Sequence, residues 1–146
     1  MSNREQVFQA LFALGQGLTW GSPPSGFVFA ARRVKLWDDV PGQPALCQAE
    51  HDEQVEQITG LPPKLTLNAS WLIYQNAGAD PAATPATINN QILDAIQGAF
   101  PNPDGGQVQT LGGLVAKCWI NGRIFKDPGD LDGQGLLIVP IQILVP

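Results

Sequence analysis

The chain has 146 residues, of which 14% are charged, with a net charge of −5 and an isoelectric point near 4.5. That length fits one domain with a real core, and the charged share lies well below the roughly 25% of an ordinary soluble domain. Eight Lys and Arg against thirteen Asp and Glu exclude the basic stripe of a nucleic-acid binder, and the chain has no apolar run of the ~18 residues that a membrane span needs.

So few charges leave neutral or apolar surface exposed, which points to burial against partners. The N-terminus MSNREQVFQALFALGQGL is too amphipathic for a signal peptide, so the chain reads as soluble and intracellular when it folds. Cys47 and Cys118 are too few for a disulfide framework and sit in apolar contexts, as reduced packing residues do.

Ser2 and Glu5 have the spacing of a capping box. Val7, Phe8, Leu11, Phe12 and Leu14 then recur at helical spacing, with Gly15 and Gly17 as the stop. LTWGSPPSG reads as a loop. FVFAARRVKLW, 27–37, reads as a strand with Arg33 and Lys35 on one face and Val34 and Leu36 on the other. PALCQAE, 44–50, reads as a short strand, and HDEQVEQITGLPP as a long exposed connection. In KLTLNASWLIY, 64–74, Leu65, Leu67, Ala69, Trp71 and Ile73 alternate with their neighbours, the period of a half-buried strand.

A second helix is expected near Pro85, with Thr84 as cap and Ile88, Ile92, Ala95, Ile96 and Ala99 as its apolar stripe, stopped by Pro101 and Pro103. LVAKCWI, 114–120, meets Asn121-Gly122, a hairpin signal; RIFK is then either the return strand or the same strand after a bulge. LLIVPIQILVP is a final strand in which Pro140 calls for an edge position or a bulge. The order α-β-β-β-α-β-β over a single domain, 1–146, predicts an α+β fold: a mixed, mostly antiparallel, twisted β-sheet flanked by two main helices.

Chemistry-bearing motifs are scarce. His51, the single histidine, lies in AEHDEQ, and no G-x-S-x-G accompanies it, so it reads as a surface residue near a strand end. The cysteines and histidine supply no zinc motif, and no phosphate loop occurs. DPGDLDGQG, 127–135, crowds Asp127, Asp130 and Asp132 with glycines. With Gly133 at the sixth position of a calcium loop, the first position is Pro128 and the twelfth is Val139, so the ligand register fails at both ends. A tight connection between strands needs the same residues. Of the tryptophans, Trp71 and Trp119 fall in expected strands and read as core. Arg32, Arg33 and Lys35 form the basic cluster, either a solvated face or one half of an intersubunit salt bridge.

VFQALFALGQGL, ARRVKLWDDVPGQPALCQAEHDE, GLPPKLTLNASWLIYQNAG, PATINNQILDAIQGAF and TLGGLVAKCWINGRIFKDPGDLDGQGLLIVPIQILVP follow in that order. In this pattern the chain resembles the tail terminator, or tail completion, proteins of long-tailed bacteriophages and prophages. The resemblance covers nearly the whole chain and contains no catalytic signature.

It implies a structural, non-enzymatic protein without cofactors: a homohexameric ring on the head-proximal end of the tail tube. Such a ring stops tube polymerisation and offers the surface for head attachment. The implied partners are other copies of the chain, the major tail tube protein and the head completion or connector protein. DNA passes through the lumen without specific binding. The implied location is the virion, after assembly in the host cytoplasm. Arg32, Arg33, Lys35, Asp127, Asp130 and Asp132 are the candidate interface residues. The alternatives are another head–tail joining or minor tail protein and, from a different class, a small cation-binding module or metal-dependent enzyme centred on 127–135.

Overall fold

The computed structural model describes residues 3–76, 84, 86–101 and 107–145. Helix α1 spans Arg4–Gln16. Its capping box is one residue later than expected: Asn3 accepts from the Gln6 backbone N–H at 2.7 Å, and the Gln6 side chain accepts from the Asn3 N–H at 3.3 Å. Ser2 lies outside the described residues. Val7, Phe8 and Leu11 are buried, and Gly17 caps the C-terminus. Gly15 does not end the helix. It is buried inside it, where an added Cβ would stand 2.8 Å from Leu46 Cδ2 and 2.9 Å from Trp71 Cζ2. The missing side chain lets α1 approach the sheet.

LTWGSPPSG holds two short paired strands, β1 (Thr19–Trp20) and β2 (Ser25–Gly26). The main sheet is built from β3 (Phe29–Ala31), β4 (Ala45–Glu56), β5 (Lys64–Asn76), β6 (Lys117–Ile120), β7 (Phe125–Asp127) and β8 (Gln134–Val145). Its order is β3-β4-β5-β8-β6, with β7 beside β6 along the same flank of β8. The β3–β4 pair is parallel and the others are antiparallel. The fold is α+β, as the element pattern predicts.

Three local readings are corrected. The first strand ends at Ala31. Its parallel partner stops pairing at Cys47, so Arg33, Val34, Lys35 and Leu36 have no neighbouring strand and bend away into a short 3-10 turn, Trp37–Asp39. The second strand does not end at Glu50: HDEQVE continues as β4 and pairs with the first half of β5 across a bulge between Glu50 and Glu53. Finally, Asn121-Gly122 turns no hairpin. β6 and β7 both pair with β8, so the alternative of one interrupted strand describes the edge.

Pro140 lies in an interior strand, and its backbone carbonyl accepts from the Asn121 N–H at 3.2 Å. The N and C=O of one strand residue point the same way, so the missing donor of Pro140 faces the break between β6 and β7.

Helix α2 (Ala86–Ala99) buries Ile92 and Ile96, with Ile88, Ala95 and Ala99 partly buried beside them. The Thr84 carbonyl accepts from the Thr87 N–H at 3.0 Å; Pro85 and Pro103 lie outside the described residues. Both helices contribute to one apolar cluster with the inner sheet face: Leu67, Ala69, Trp71 and Ile73 on β5, and Leu137, Val139, Ile141, Ile143 and Val145 on β8. Trp71 anchors it. Its indole N–H donates to Gln48 Oε1 at 3.0 Å, and Gln48 Nε2 donates to the Phe8 carbonyl at 3.0 Å. Both cysteines are free and buried, and burial pushes the Cys118 thiol up to about 12.

Candidate functional site

The 127–135 stretch is the β7–β8 connection. Asp127 Oδ1 accepts from the Gly129 N–H at 3.0 Å, Asp132 Oδ1 accepts from the Gln134 N–H at 2.9 Å, and the Gly129 carbonyl accepts from the Gly133 N–H at 2.9 Å. Two of the three carboxylates therefore orient their own turn. Asp130 is exposed, and Leu131 at the tip is fully open to solvent. Among the described residues, no three of His, Cys, Asp and Glu gather closely enough to hold a metal ion.

The basic cluster divides. Arg32 donates to both Glu5 carboxylate oxygens, at 2.7 and 3.0 Å, and lies 3.5 Å from Glu50, tying α1 to β4 within one chain. Arg33 is exposed. The Lys35 ammonium lies 5.8 Å from the centre of the Phe29 ring, and its carbonyl accepts from the Tyr74 hydroxyl at 2.7 Å. That contact ties the 32–40 segment to β5, with Trp37 edge-on to Tyr74.

The hydrogen bond from Arg32 holds the Glu5 carboxyl below its ordinary value of 4.5. A lowered carboxylate pKa contributes stability above the unfolded-state value and loses it as pH falls through the folded one. The unfolding temperature should therefore drop as pH falls below the ordinary carboxylate value of 4.5, and Glu5→Gln should flatten that part of the profile in thermal unfolding scans. The pair is solvent-exposed, so added salt should shrink the effect.

Among the described residues, the sheet face opposite the helices carries the 32–40 segment at Tyr74 and is half-exposed along β8. On β8 the inward residues are buried, while Leu136, Ile138, Pro140 and Leu144 alternate with them and are only half-buried. Register aligns Leu72 with Ile138 and Phe125 with Ile138, making an apolar strip across three strands; Phe125 is 50% exposed. Trp119 belongs to this outer face and not to the core. Its register partner is Gln142, it is half-buried, and the Lys117 ammonium lies 4.4 Å over its ring.

Below the strip, side-chain amides cross the sheet. Asn121 donates to Gln142 at 2.6 Å, Gln142 to Asn68 at 3.3 Å, and Asn68 to the Asp52 carbonyl at 3.1 Å. His51 Nε2 and Ser70 Oγ lie 2.8 Å apart beside this ladder. The sequence does not show this pair, because strand register brings it together. It stitches the β4 bulge to β5.

The second half of β4 and the start of β5 form an arm that runs out past the core. Every residue from Glu50 to Lys64 is exposed, including Val55, Ile58 and Leu61. Arg4 donates to both oxygens of Glu53 at its base, at 2.8 and 2.9 Å. The alternating apolar signal that marks a strand is missing here, because the arm residues are exposed on both faces.

The chain thus presents two surfaces suited to protein contact: an apolar outer sheet face and a protruding acidic arm. No protein-family model matches the chain, and no curated protein matches it.

Proposed function

We propose that this chain is a structural subunit of a phage tail, a terminator that assembles as a homohexameric ring on the head-proximal end of the tail tube. The ring stops tube polymerisation and provides the surface to which the head completion or connector protein attaches. Arg33, Lys35 and Asp130, all on exposed segments, are its candidate contact residues. Arg32, Asp127 and Asp132 hold their own chain together and support contacts indirectly.

The observation that carries this reading is the outer sheet face, where half-buried Leu72 and Ile138 line up with the half-exposed Phe125, outside the apolar cluster that both helices join. Apolar strips of this kind mark burial against another protein. The low charge content and the ordered pattern of segments along the chain support the same role. DNA crosses the ring opening unbound, which suits a chain with net charge −5.

Mixing the purified chain with polymerising tube protein tests the reading. Electron micrographs should show tubes that cease to grow at one end, with a ring of added density there. Tubes that lengthen as fast with the chain as without it would refute the reading.

A further inference from the structure

We propose that the two edges of the main sheet are complementary surfaces for a second copy of this chain. In this contact the β4 arm and Lys35 of one copy seat against the β6–β7 edge of the next. The proposal rests on the ring reading above, because a ring of more than two copies repeats one heterologous contact.

Strand register defines rows that cross the sheet. An upper row runs Phe29, Ala45, Tyr74, Leu136, Asp127. Lys35 sits by Phe29 at one end, and Asp127 with the exposed Asp130 stands at the other. A lower row runs Gln54, Thr66, Leu144, Lys117. Exposed Asp52, Glu53 and Glu56 flank Gln54 at one end, with Glu53 bonded to Arg4 and Glu56 opposite Lys64 in register; Lys117 stands on β6 at the other, where Gln109 bridges Cys118 on the far side, and exposed Arg123 lies in the break above it. Residues 49–60 contain four acids and no Lys or Arg, whereas 117–126 contain three cations and no acid.

Each row therefore ends in opposite charges, and the sense inverts between the upper and lower rows. Four strand spacings separate the ends of the upper row, about 19 Å at roughly 4.8 Å each. That exceeds the Debye length of about 10 Å at 0.1 M salt, so the two ends do not neutralise each other within one chain.

A level, head-to-tail repeat satisfies both rows at once. Lys35 meets the next copy's Asp130, while Asp52 and Glu56 meet its Lys117 and Arg123. Val55, Ile58 and Leu61 on the arm and Phe125 on the edge are each 45–57% exposed and supply apolar area to the same contact. The charges set partner and level more than they set affinity.

Two charge-reversed variants test this by sedimentation velocity on the purified full chain. The first carries Asp52→Lys and Glu56→Lys, the second Lys117→Glu and Arg123→Glu; all four sites lie at the edges, and circular dichroism checks that both fold. Wild type should self-associate, and each variant alone should do so at least about tenfold more weakly. An equimolar mixture should recover association, because each reversed edge then meets its complement.

Several results would overturn the proposal. One is a wild-type chain that stays monomeric at about 1 mM in low salt, where surface charge acts at its longest range. Another is a second variant that associates like wild type, which would mean a two-fold contact through the β4 edge only. Mixing without recovery, or arm variants that lose tube binding while self-association is untouched, would also overturn it; the last would assign the arm to a different protein. Tube capping that persists despite any of these results leaves the terminator reading in place, and recovery on mixing without tube capping leaves the edge contact in place.

Discussion

Trp71→Ala should lower the unfolding free energy by about 3–5 kcal/mol, the range for removing a large aromatic from a packed core. Trp71 is fully buried, and its ring lies 5.6 Å, centre to centre, from Phe100 just beyond α2. Its N–H satisfies Gln48, which in turn satisfies the Phe8 carbonyl in α1. One side chain thus joins both helices to β4 and β5. Alanine opens a cavity and leaves the Gln48 oxygen without its donor. Trp71→Phe separates the two contributions: it keeps most of the ring volume and loses the N–H, so it should cost about 1–3 kcal/mol. Urea unfolding curves measure both changes. Equal losses in the two variants would mean that the hydrogen-bond chain, and not packing, dominates here.

The β7–β8 connection should be the most sensitive surface turn. Gly129 has φ of 82°, and a Cβ there would stand 2.9 Å from backbone atoms of Gly133 and Gln134. Gly129→Val meets two penalties: left-handed backbone at roughly 1–2 kcal/mol and a backbone clash at about 1–3 kcal/mol. Thermal unfolding should show a loss of about 2–5 kcal/mol in total. Asp132→Ala, which removes one turn hydrogen bond, should lose only about 0.5–1.5 kcal/mol. A Gly129→Val chain as stable as wild type would show that the turn relaxes freely and does not fix the β7–β8 register.

The parts of the fold legible in the sequence are those where one face meets the core. KLTLNASWLIY declares β5 because its odd positions are buried against the helices, and the α2 stripe declares itself through Ile92 and Ile96 for the same reason. The arm is hidden in the sequence because HDEQVE is exposed on both faces, so its strand character comes from pairing with β5 and leaves no apolar alternation. The alternation of Arg33, Val34, Lys35 and Leu36 misled for the opposite reason. The local pattern is strand-like, but no partner strand is there to use it, and Leu36 ends 74% exposed. Asn121-Gly122 has turn chemistry, yet both of its flanks are already committed to β8.

The candidate surface was legible in kind more than in place. Low charge content signals exposed neutral and apolar area, but the alignment of Leu72, Phe125 and Ile138 depends on register between strands far apart in sequence. Likewise, Trp119 reads as core from its neighbours and faces outward only because it pairs with Gln142. The turn residues of DPGDLDGQG were readable because their partners are local: Asp127 and Asp132 each bond a backbone N–H two residues on.

If this chain ends tube growth, as proposed, the length of tails assembled without it must change. Electron micrographs of lysates lacking the chain should show headless tails longer than normal, with the normal length restored when the chain is supplied in trans. Headless or headed tails of normal length in its absence would rule out a terminator role.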